Sequence, residues 1–174
     1  MSEQEMPMPT TIADAVALAK SSRAELEELI ASLSEEQLTA PGPERWSIKD
    51  HLAHLETWSG SLHDLLDGKP RFPRFGLSSP EEMHTAGFNS INDALFQKDK
   101  DRSLEDVLAG FRESHQETID RLQAMSDADL ARPYTSYLAE DRPDGNEAIV
   151  NWIAGDSWAH DAEHRGWIRD HFGV

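Results

Sequence analysis

Trp46-Ser47-Ile48-Lys49-Asp50-His51-Leu52-Ala53-His54-Leu55 reads as the opening of a helix. Ser47 caps it, because its side-chain oxygen can accept from a backbone N–H that lacks a helical partner, and Asp50 follows three residues later. Ile48, Leu52, Leu55, Leu62 and Leu66 recur at helical spacing and form one apolar line. His54 falls at the edge of that line. Gly68 ends the helix, and Pro70 and Pro73 keep it from resuming.

The same punctuation extends in both directions. Upstream, Thr10 or Thr11 caps a helix to about Ser32, and Ser34-Glu35-Glu36-Gln37 is a capping box opening a short turn. Pro41-Gly42-Pro43 then breaks the chain. Downstream, residues 69 to 79 read as a solvated loop with two docked phenylalanines. Ser79-Pro80-Glu81-Glu82 starts a helix to about Lys98. Ser103-Leu104-Glu105-Asp106 restarts helical structure as far as Met125. Residues 131 to 145 read as a loop, and a last helix is expected from about Asn146 to His171. No segment alternates as a strand does. The expectation is all-α: a tail over residues 1–9 and a single four-helix bundle over residues 10–174.

Composition narrows the chemistry. The chain has 174 residues and no Cys, so a metal would be held by His nitrogen or carboxylate oxygen. Lys and Arg number 16 against 33 Asp and Glu, a formal charge of −17, which repels phosphate backbones. No apolar run reaches the ~18 residues of a membrane span, and the N-terminus lacks the pattern of a signal peptide. A cytoplasmic protein with neither nucleic-acid nor membrane partners is expected.

Of eight histidines, His160 and His164 are four apart and share one helix face, a spacing that suits two ligands of one cation. His54 comes from a second helix. Three histidines on one core leave coordination positions open, as catalytic sites do. Asp156 and Asp50 stand where a carboxylate could orient His160 and His54. Asp161 and Glu163 are candidate catalytic carboxylates. The five tryptophans, Trp46, Trp58, Trp152, Trp158 and Trp167, flank these positions and could wall an apolar pocket. His160-Asp161-Ala162-Glu163-His164 formally matches H-x-x-E-H, but ten residues remain after it, too few for a peptidase lobe. The paired Glu-x-x-His of a di-iron bundle is absent.

The stretch from Trp46 to Leu55 resembles the W-S-x-x-[DE]-x-L-x-H-L signature of the DinB/YfiT-like superfamily. His160 to Ile168 resembles its terminal H-x-x-x-H helix. The extension through Glu56-Thr57-Trp58 and the ending Glu163-His164-Arg165-Gly166-Trp167-Ile168 are most similar to the ClbS/DfsB branch, many members of which carry Tyr where this chain has Asp161. The resemblance implies a four-helix bundle, often a homodimer, with His54, His160 and His164 binding zinc, nickel or a similar divalent ion. It further implies detoxification or stress chemistry on a small electrophile, as a hydrolase or thiol S-transferase. A protein that sequesters a small molecule without turnover is the alternative.

Overall fold

Hydroxyl caps start the long helices where the sequence places them. Thr11 accepts from Asp14 N–H ahead of α1 (Ile12–Ala31). Ser34 and Gln37 form a reciprocal box ahead of α2 (Glu35–Thr39). Ser47 and Asp50 do the same ahead of α3 (Ile48–Leu66), with Asp50 accepting from the Ser47 backbone N–H at 2.8 Å. Ser79 caps α4 (Pro80–Asp99) and Ser103 caps α5 (Leu104–Ala124). Two further helices follow, α6 (Ile149–Gly155) and α7 (Trp158–Phe172). The computed structural model describes residues 8–42, 45–138 and 146–174, so most of the expected tail and the later part of the 131–145 loop lie outside the described residues.

The class is all-α, and no strand occurs among the described residues. Among the described residues seven α segments occur, joined in part by short 3-10 turns, where the sequence reading expected a bundle of four. α3 packs most extensively on α5, and α1 lies against α7 and α5. One apolar cluster joins Ala15 and Ala19 of α1 to Leu62 and Leu65 of α3, Ile119 and Leu122 of α5, and Ile149 and Ile153 of α6. A second joins Leu26 and Ile30 to Ile48, Leu52 and Leu55, with Val107, Phe111 and Ile168. Each fully buried Leu or Ile contributes roughly 1.5–3 kcal/mol by leaving water.

Two other expectations change. The last helix is broken at Asp156-Ser157, where Ser157 leaves helical geometry (φ −137, ψ −103). Its hydroxyl donates back to the Ile153 carbonyl, and Asp156 accepts from Arg71 at 2.6 Å. The break re-phases α7, so that Trp158, Asp161 and Ile168 face the core. Arg71, expected in a solvated loop, is 1% exposed. It also donates to Ser61 at 2.7 Å, and so ties the 69–79 connection to α3 and to the α6–α7 break.

Candidate metal centre

α3 is buried on nearly every side over its first half, and that forces polar groups into the interior. His51 and His54 are 6% and 5% exposed. α7 runs past them with His160 and His164 one turn apart. Nε2 of His54 lies 3.1 Å from Nε2 of His160, which lies 3.1 Å from Nε2 of His164. One nitrogen from each of the three rings lies within 4.8 Å of the other two. Ligands about 2.0–2.1 Å from one ion stand ~2.8–3.4 Å apart at octahedral to tetrahedral angles, so the observed 3.1 Å fits a shared cation.

Electrostatics agree with the geometry. Burial lowers the pKa of His54 to about 2, assisted by His160 and His51, and that of His160 to about 4. His164 is also held well below its usual value, by burial and then by its histidine neighbours. These imidazoles are neutral at physiological pH and keep lone pairs free for a cation. Nδ1 of His54 and of His160 are buried without a hydrogen-bond partner.

A fourth histidine completes the cluster. His51 Nδ1 shares a 2.8 Å hydrogen bond with Nδ1 of His164. With Nε2 of His164 turned to an ion, its Nδ1–H donates to His51, the outer contact that fixes a ligand's tautomer. His51 was not among the expected site residues, although its i,i+3 relation to His54 places both on one face.

The other candidates separate. Asp50 serves the cap of α3 and also accepts from Lys49 at 3.2 Å. Asp156 pairs with Arg71 rather than His160; burial raises its pKa to about 6, against the pull of that guanidinium. Asp161 is 2% exposed and accepts two hydrogen bonds from Arg23, at 2.9 and 3.0 Å. Its carboxylate is committed to α1. Glu163 is exposed and lines the cavity in front of the histidines. That cavity has a volume of about 1070 Å³. Trp46, Trp58, Trp152 and Trp167 wall it, whereas Trp158 turns into the core instead. Trp46 packs on His54 at 5.4 Å between ring centres, and Trp58 packs on His160 at 6.0 Å.

No curated protein matches the sequence. Among solved structures, the fold is similar to the crystal structure of an uncharacterised protein from Escherichia coli UTI89, at 15% identity over 95% of each chain with a TM-score of 0.71. The sequence matches the DinB superfamily over residues 18–168, and the histidines that carried the resemblance are the ones the fold gathers: this chain belongs to the DinB superfamily.

Proposed function

We propose that this protein is a metal-dependent enzyme acting on a small electrophilic molecule, of hydrolase or thiol S-transferase type, in the manner of the ClbS/DfsB branch. The observation that carries the reading is three neutral imidazole nitrogens converging on the wall of an aromatic-lined cavity. His54, His160 and His164 would hold a divalent ion, zinc or nickel by the chemistry of an all-imidazole donor set. When bound there, such an ion supplies Lewis acidity, making water or a thiol acidic enough to yield a nucleophile at neutral pH.

The chain's own groups do the rest. His51 orients His164. The tryptophan walls exclude water and favour an apolar substrate body. Glu163 is the carboxylate placed to take up a proton at the cavity mouth, since Asp161 is withdrawn into its ion pair with Arg23. That withdrawal also favours a second reading, a protein that sequesters the same class of molecule without turnover.

Incubation of zinc- or nickel-loaded protein with model epoxides, with and without low-molecular-weight thiols, separates the two. Turnover that disappears in His54→Ala supports the enzyme. Stoichiometric binding with no product supports sequestration. A protein that takes up neither ion in solution removes the metal from both.

A further inference from the structure

Among the described residues, Phe88 is the large apolar side chain that a helix leaves in water. It is 72% exposed, and the other exposed large apolar residues, Met8 and Val174, lie outside the helices. Single exposed apolar residues are ordinary on protein surfaces, so its position has to carry the argument. Phe88 borders the cavity in front of the histidines. Its ring centre is 6.0 Å from that of Trp58, whose ring in turn abuts His54 and His160.

The helix is built to place it there. Gly87 interrupts α4, and helical structure restarts at Phe88. Beyond the interruption Ile91 and Leu95, one turn apart, enter the apolar cluster of Trp58 and Phe75. Those two anchors fix the rotation of the segment, and the adjoining stripe of Phe88, Asn89, Asn92 and Asp93 lines the cavity. Asn89, Asn92 and Asp93 are polar, as a wetted stripe requires. Phe88 alone offers an apolar surface on that wall, and that surface gains stability only when something covers it. Aromatic rings pair well with flat apolar partners. Charge narrows the class further: the exposed residues lining the cavity include Asp93, Glu147 and Glu163 against the cation Arg45, which disfavours an anion.

We propose that Phe88 is a specificity-determining residue whose ring packs on the substrate, and that the substrate carries an uncharged, apolar, ring-bearing body. This rests on the cavity being the site of function, as proposed above. It does not require that an ion be bound.

The test uses naphthalene as the probe. Binding to the full-length protein is measured by calorimetry with and without zinc, and nuclear Overhauser contacts between naphthalene and the protein locate the ligand. Expected are contacts from naphthalene to the Phe88 ring, and affinity weakened roughly 5- to 20-fold in Phe88→Ala, the worth of covering part of a phenyl ring, with Phe88→Leu in between. Because the side chain is exposed, neither substitution opens a hole in the core; circular dichroism checks that both variants fold. Contacts to the cavity tryptophans with none to Phe88, or equal affinity in wild type and Phe88→Ala, overturn the proposal and leave the cavity as a binding site. Absence of any naphthalene binding also overturns it, as does tighter binding of 2-naphthoate than of naphthalene to chelator-treated protein. A dimer that Phe88→Ala converts to monomer in sedimentation would show that a second copy covers the ring, which overturns it too. A parallel zinc titration reports on the metal reading alone, so the two can fail separately.

Discussion

His51 and Asp161 show how much a residue's role depends on what lies against it. Both stand within three residues of an expected ligand, yet one joins the histidine cluster and the other leaves it. His51 meets His164 ring to ring, at 2.8 Å. Its replacement by Ala should weaken zinc binding by roughly 10–100-fold, the usual cost of losing an outer-shell partner, and His54→Ala should weaken it further still. Competition with a chromophoric chelator measures both, and an unchanged affinity in His51→Ala would reduce the contact to packing. Asp161, with its two hydrogen bonds from Arg23, should behave as a stability residue. Removing one partner of a buried ion pair costs about 3–5 kcal/mol. Asp161→Ala should therefore lower the urea midpoint strongly and leave zinc affinity intact; a stable variant that lost only turnover would restore its catalytic role.

At the scale of the element, helix starts were legible because capping is local chemistry. Ser34, Ser47, Ser79 and Ser103 each act within three residues of themselves. Interruptions were less so. The break between α6 and α7 is built around the Arg71–Asp156 pair, whose members are 85 residues apart, and no local pattern reports it. α4 carries a second interruption at Gly87, with φ 71 and ψ 154, a region of backbone space that essentially only glycine occupies. A Cβ there would meet nothing within 4 Å, so the barrier to substitution is backbone strain alone. Gly87→Ala should cost about 1–3 kcal/mol and should speed amide exchange across α4 more than in α3 or α5. Uniform exchange across the three helices would argue against a local effect.

At the scale of the whole molecule, the interior holds many neutral histidines. Burial lowers His51, His63, His115 and His160 to about 4 and His54 to about 2. In the unfolded chain each titrates near 6.5, so between pH 6.5 and 4 the unfolded state binds more protons. Stability is therefore full above about pH 6.5 and falls as pH drops towards 4. Asp156, Glu56 and Asp161 shift upward and act in the opposite sense, but they are outnumbered. With a chelator present and ionic strength fixed, calorimetry should show Tm falling by several degrees across that window, since ~1 kcal/mol moves Tm by about 2–4 °C in a chain of this size. A level or rising Tm from pH 6.5 to 5 would contradict the assignment. By itself the sequence determined the all-α class, the starts of α1 to α5 and the histidine-bearing faces, because capping and helical period act over three or four residues. Tertiary structure alone decided that His51 joins the cluster, that Asp156 and Asp161 answer to arginines, and that Trp158 faces the core. Those outcomes depend on which side chains from distant parts of the chain share a low-dielectric interior, where a charge must find its partner and a ring its place.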